Sequence, residues 1–272
     1  MGRSTGRFLA AVIDLPFDPT LVLGPLTLTW HALFGSLGIV GGAAIGIALI
    51  RQRVSFADAY AIALSGVLGG LIGSRLFHVA EAWGPIYSRD PLSALQVWNG
   101  GASVIGGIVG GLAAGLVAMG RSRVAVGWTF DRAVIGLPVG MAVGRIGDII
   151  NGEHWATACS GVAWCVRYTA PNSPGQRDSV HPAVAYELLC DLAIVAILRA
   201  LLPWSDRQRR HPQLPFVFLG LYGIARLALS AFRLDPLFAF GMSQAQLFSI
   251  LFIALAVAAL AWLRRRGPTI AM

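Results

Sequence analysis

The sequence contains no lysine; all 21 of its basic residues are arginine. Charge of either sign is scarce, at 12% of 272 residues, about half the ~25% usual in soluble domains. With 56% hydrophobic residues and a mean hydropathy of +0.68, this excludes a disordered chain and an ordinary water-soluble domain. Three cysteines are too few for a disulfide-stapled mini-protein, and no Cys/His spacing suits zinc, so no metal is expected. A net charge of +8 raises the question of nucleic acid, but the arginines are scattered between apolar runs and form no basic stripe. What remains is an all-α integral membrane protein, read as one polytopic domain over 1–272.

A spanning helix needs ~20 mostly apolar residues. Seven segments qualify, at roughly 30–50, 56–79, 99–120, 128–150, 181–202, 214–233 and 245–263. The third opens on NGGASVIGGIVGG, whose glycine pairs allow either close backbone packing or a broken, partly re-entrant start. The N-terminal MGRSTGRFLAAVIDLPFDP imitates a signal peptide, but its apolar stretch is too short; it reads as an interfacial segment on the bilayer. Residues 151–180 form the largest extramembrane piece and hold Cys159 and Cys165, whose spacing suits either a disulfide or two free thiols.

Arginine asymmetry orients the chain. Arg51, Arg53, Arg121, Arg123, Arg207, Arg209, Arg210, Arg264, Arg265 and Arg266 share one set of loops and ends. Arg3, Arg7, Arg89, Arg167 and Arg177 share the other. The N-terminus and 151–180 are therefore expected outside, with the C-terminus cytoplasmic. Four further arginines, Arg75, Arg145, Arg226 and Arg233, then fall at one depth on the outer side. An intramembrane arginine costs at least ~2.5 kcal/mol, so something anionic should face them. Asp148, Glu153 and Glu187 lie in the same layer. Two readings follow: structural ion pairs, or an anion site where guanidinium forks meet a phospholipid phosphate. Arg145 and Asp148 share one helix face, as do Arg226, Ser230 and Arg233, which favours a common cavity.

The stretch Gly144-Arg145-Ile146-Gly147-Asp148-Ile149-Ile150-Asn151-Gly152-Glu153-His154-Trp155 resembles the signature of bacterial prolipoprotein diacylglyceryl transferases, roughly GRxGNFxNGExWG. Pro25 to Trp30 resembles the start of that family's first helix, Gly73-Ser74-Arg75-Leu76 a GARL-like element, and Val97-Trp98-Asn99-Gly100-Gly101 its VWxGG. His181-Pro182-Ala183-Val184-Ala185-Tyr186-Glu187 resembles HPxxLYE, Gly220 to Arg233 the GLY…RxxxExFR element, and Gln246 to Ser249 a late AQxxS element. The resemblance runs through nearly the whole chain. It implies a seven-span enzyme of the bacterial inner membrane with its active site toward the outer leaflet. Such an enzyme moves the diacylglyceryl group of phosphatidylglycerol to the lipobox cysteine of a prolipoprotein signal peptide, with glycerol phosphate leaving. No cofactor is implied; the partners are membrane lipid and the signal peptide.

Carried over residue by residue, the resemblance gives Arg145 and Arg226 the phosphate, with Arg233 and Arg75 in support. Glu153, Asn151, His181, Tyr186 and Glu187 orient the site or its loops, and Gly100 and Gly101 belong to the binding region. Five motif positions depart from the family pattern: His31 for Tyr, Ile105 for the third-helix His, Asp148 for Asn, Ala156 for Gly and Ser230 for the acidic residue. The phosphate-binding half is kept and the proton-handling half altered. His31 and His154 are candidates for the lost base, each also readable as an interfacial histidine bonded to backbone or headgroup. Asp148 is a candidate partner of Arg145. The competing reading is a non-catalytic or acceptor-divergent relative that binds anionic lipid or signal peptide. A transporter is disfavoured because no repeated half is visible.

Overall fold

The computed structural model describes residues 12–24, 26–96, 101–208 and 212–265. Three short strands, β1 (Ile13–Leu15), β2 (Thr20–Leu23) and β3 (Leu26–Thr29), precede α1 (Trp30–Ile50) and α2 (Phe56–Glu81). Then come α3 (Val104–Arg121), α4 (Val126–Ala133), α5 (Gly136–Asn151), β4 (Val166–Tyr168), α6 (Ala183–Gln208) and α7 (Leu214–Leu229). A last hairpin, β5 (Leu237–Ala239) and β6 (Met242–Ser243), leads into α8 (Gln244–Arg265). Below, the end carrying β4 and residues 151–180 is the cap end; the opposite end, where α8 finishes, is the tail end.

Every expected apolar segment contains a helix. Among the described residues, five stretches are long and apolar enough to cross a membrane: Trp30–Ile50, Phe56–Glu81, Val126–Asn151, Leu214–Phe232 and Gln244–Arg265. Their outward faces bear large apolar side chains such as Val40, Leu76 and Val257, each at least 60% exposed, as a lipid-facing surface requires. Helix starts follow local chemistry: Thr29 and Ser55 accept from the backbone N–H three residues on, at Ala32 and Asp58.

Four segments show detail that hydropathy passes over. The fourth span is not one helix: it breaks at Val134–Ile135, just before Gly136 and Pro138, where proline supplies no amide donor. The third helix starts only at Val104, reached through an extended stretch in which Ser103 N–H donates to the Ser74 carbonyl (3.1 Å). The described part of the N-terminal segment, expected to lie on the bilayer, contains a strand. Its Ile13–Leu15 pairs in parallel with Val166–Tyr168, tying the start of the chain to the cap. The sixth span leaves the α-helix at Leu229 and closes with a 3-10 turn over Ser230–Phe232.

Small residues set the packing. Gly38 and Gly42 on α1 face Gly140 and Gly136 on α5, and Gly69 and Gly73 on α2 face Gly110 and Gly106 on α3, all at backbone-to-backbone approach. The same seam continues to Gly147, where a Cβ would lie 2.5 Å from the Trp30 carbonyl oxygen. Toward the tail end, Val134, Ile135, Ile194, Leu198 and Leu214 form a buried core joining the α4–α5 break to α6 and α7. At the cap end Cys159 and Cys165 are joined by a disulfide.

Candidate active site

The cap ends of α5, α6 and α7 converge on one carboxylate. Glu187, one and a half turns into α6, is 3% exposed. Its Oε1 accepts from Arg233 Nη1 at 3.1 Å and lies 3.4 Å from Arg226 Nη1, while Oε2 is 3.0 Å from Arg145 Nη1. Three guanidinium groups from three parts of the chain thus meet on one acid. Asp191, a turn deeper on α6, lies 3.8 Å from Arg145 Nε. Asp235 accepts from Arg226 Nη2 at 2.8 Å and from Arg233 Nε at 3.1 Å. Burial alone would raise the Asp235 pKa, but the Arg233 and Arg226 charges outweigh it and hold the carboxyl below its usual value.

Asp148 occupies the next position outward on α5. Its Oδ2 accepts from Arg145 Nη1 at 3.2 Å, and its Oδ1 lies 2.5 Å from Nδ1 of His31 on α1. Gly147 makes the pairing possible, since any side chain there would strike the Trp30 backbone. His154 stands on the far side of Asp148, its Nε2 3.7 Å from Oδ2, and its Nδ1 accepts from Arg233 Nη2 at 3.1 Å. His31, Met141, Gly144, Arg145 and Asp148 line an open cavity of about 180 Å³.

The helix end is built by Asn151 and Gly152. Gly152 adopts φ +75°, a left-handed cap that glycine takes without strain, and its N–H donates to the Asp148 carbonyl. Asn151 is 1% exposed; its Oδ1 accepts from the His31 backbone N–H (3.3 Å) and its Nδ2 donates to Glu153 (2.7 Å). It satisfies a free donor in the first turn of α1 and so fixes α1 against α5.

The remaining sequence candidates lie elsewhere. Glu153 is exposed, held by Asn151 and outside the cavity lining. Arg75 does not join the arginine layer: it donates to the Ser93, Ala94, Gln96 and Gly101 carbonyls and so binds the segment before α3 to α2. Gly101, at φ +88°, packs against His78 and Arg75; Gly100 lies outside the described residues. His181 and Tyr186 form an aromatic group with Phe232, the Tyr186 hydroxyl also accepting from Trp164 Nε1 (2.8 Å). Ser230 donates to the Leu227 carbonyl and accepts from Gln246 Nε2, pinning α7 to α8. Residue 105 is described only in its backbone. Two acids escaped the sequence reading. Asp191 is one turn beyond Glu187 on α6, and Asp235, two residues after Arg233, supplies a carboxylate to Arg226 in place of the one absent at Ser230.

The sequence model of the family described as prolipoprotein diacylglyceryl transferase matches residues 19–262. The chain belongs to the prolipoprotein diacylglyceryl transferase family. Relatives bearing the name phosphatidylglycerol–prolipoprotein diacylglyceryl transferase span almost its full length. The Azospirillum brasilense protein is 33% identical, covering 91% of this chain and 94% of its own. The Methylibium petroleiphilum protein is 32% identical over 94% of this chain and 100% of its own, and that of Synechococcus elongatus 31% over 90% and 87%. In this member of the transferase family, the arginine–carboxylate cluster fills the cap end of the helices, and Arg145 alone of the three arginines reaches the cavity wall.

Proposed function

We propose that this protein transfers the diacylglyceryl group of phosphatidylglycerol to the lipobox cysteine thiol of prolipoproteins, forming a thioether and releasing glycerol phosphate. Membership of the transferase family and the names of its relatives support the reaction. The observation that carries the site is Arg145, at once a wall of the open cavity and a partner of the buried carboxylate shared with Arg226 and Arg233.

In this reading the chain is one polytopic domain of the bacterial inner membrane, with the cap end and its cavity facing the outer leaflet. Lipid and signal peptide reach the site from the bilayer. Glu187, Asp148 and Asp235 hold the guanidinium planes before substrate arrives. Donors fixed in advance cost no reorganisation when charge develops. As the glyceryl C–O bond breaks, negative charge gathers on the phosphate, and Arg145 meets it with planar, always-charged donors. Arg226 and Arg233 sustain the local positive potential and orient Arg145 through Glu187. Arg75 and Gly101 shape the approach beside α2. Asn151, Glu153, His181, Tyr186 and Ser230 keep the cap and the helix ends in register around it.

The test is the reaction itself. Purified protein in detergent is incubated with phosphatidylglycerol and a lipobox cysteine peptide, and mass spectrometry follows the diacylglyceryl thioether. The adduct should form, and should vanish when the peptide cysteine is replaced by serine. Arg145→Ala and Arg226→Ala should each lower transfer about 100-fold or more, the scale set by loss of one charge-stabilising donor. A fully active Arg145→Ala removes the phosphate site. Phosphatidylglycerol binding without transfer points instead to a binding protein.

A further inference from the structure

We infer that His31 and Asp148 act as a pair in which His31 Nε2 takes the proton from the acceptor thiol, with Asp148 fixing and orienting the ring. The inference rests on the transfer reading above and names the base within it.

Hydrogen-bond partners assign both histidine tautomers. A guanidinium N–H is always a donor, so Arg233 Nη2 makes His154 Nδ1 the acceptor. The lone pair of His154 is therefore used, its remaining proton sits on Nε2 facing Asp148, and the ring is not available as a base. His31 is the reverse. The Asp148 carboxylate, paired with Arg145, is an acceptor, so Nδ1 of His31 must carry the proton and donate. This leaves the lone pair on Nε2. The His31 side chain is 55% exposed and lines the cavity that Arg145 also lines, whereas Asp148 is 9% exposed. A carboxylate behind one ring nitrogen, with the other free and facing a cavity, is the arrangement that selects a tautomer and stabilises the imidazolium formed on proton uptake.

The two positions are 117 residues apart in sequence and both depart from the family pattern described above. They meet here because α1 crosses α5 at Gly147 and Asn151 holds the His31 backbone. Among the described residues, the charged and titratable groups around the pair are Arg145 on α5, Glu187 and Asp191 behind it on α6, Tyr168 on β4, and His154 with Arg233 at the cap.

The step balances. The thiol S–H bond breaks and its proton passes to His31 Nε2. The thiolate forms a C–S bond to the glyceryl carbon as the C–O bond to phosphate breaks. The bond's electron pair leaves with glycerol phosphate, beside Arg145. The imidazolium then returns its proton to water at the open mouth of the cavity.

His31→Gln keeps a donor toward Asp148 but has no basic nitrogen. At neutral pH it should transfer about 100-fold more slowly, the low end of general-base catalysis, with phosphatidylglycerol binding retained. Its rate should climb roughly 30-fold between pH 7 and 9.5, because the thiolate fraction of a cysteine with a pKa of ~8.5 rises by that factor. In His31→Gly, added imidazole should restore part of the rate, and it should not do so in Arg145→Ala. Asp148→Asn should lower kcat by less than His31→Gln does and, because Arg145 keeps its contact with Glu187, change KM for phosphatidylglycerol by a smaller factor than kcat. Transfer by His31→Gln at the wild-type rate overturns the inference while leaving the transferase reading intact. So does a loss that neither high pH nor imidazole relieves. A wild-type protein without transfer overturns both.

Discussion

The two ends of the helix bundle each bury a polar cluster, and they are built on different principles. At the tail end Asp131, 2% exposed, accepts from the backbone N–H groups of Gln213 and Leu214 and from the Ser205 hydroxyl. Its carboxylate caps the start of α7, so its oxygens are spent on the backbone. Arg132 beside it grips both Asp206 oxygens at 2.9 Å and lies over the Trp128 ring. At the cap end the ties run mostly from side chain to side chain. Three guanidiniums share Glu187, and one of them, Arg145, also lines the open cavity. A guanidinium on a cavity wall is what a ligand can exploit, whereas a carboxylate tied to main-chain amides defines where a helix starts. The lesson is that buried charge marks function where it also reaches a cavity.

That contrast can be broken deliberately. Asp131→Ala strands two amides and a hydroxyl, and should cost about 3 kcal/mol of stability, each stranded buried donor costing ~1–3 kcal/mol less what relaxation recovers. Thermal unfolding in detergent measures it, and transfer per folded molecule should be unchanged. The cap-end Arg145→Ala should show the opposite pattern, with the larger loss in transfer. Replacing Cys159 and Cys165 together by serine opens a short loop and should cost about 2 kcal/mol, with transfer again kept in the folded fraction. The smallest effect belongs to Tyr168, whose hydroxyl donates to the Ile149 carbonyl just before the helix cap. Tyr168→Phe should cost about 1 kcal/mol. Burial, and then the Asp148 charge, push the Tyr168 phenol up to about 12 from its ordinary 10. The stability this confers is whole below pH 10 and lost as pH rises through 12. An absorbance titration of ionised tyrosine should show that late step, and Tyr168→Phe should diminish it.

Much of the fold is legible in the chain because a lipid-facing helix must be apolar over a fixed length, which leaves a long uniform signal. The break at Val134–Ile135 lies inside such a run, so hydropathy passes over it; Gly136 and Pro138 were its only local sign. The strand at Ile13–Leu15 is invisible locally because its partner is β4. In the site, helical spacing put Arg145 with Asp148, and the structure shows that pair at 3.2 Å. Spacing along one helix says nothing of which neighbouring helix faces it. That is why Arg75 was grouped with arginines it does not join, and why Asp191 and Asp235 were overlooked. The contact between His31 and Asp148 depends on how closely α1 crosses α5, which Gly147 permits without announcing.

The pairing of β1 with β4 also sets an order of assembly. Asp14 bonds Arg167 across 153 residues, so the first strand has no partner until the cap has been made. At ~5–20 residues per second, the ribosome adds that stretch in roughly 8–30 s. Throughout that interval the N-terminal strand waits beside helices already in place. The cap therefore closes late, and the cavity beneath it takes its final shape only when the two distant segments join.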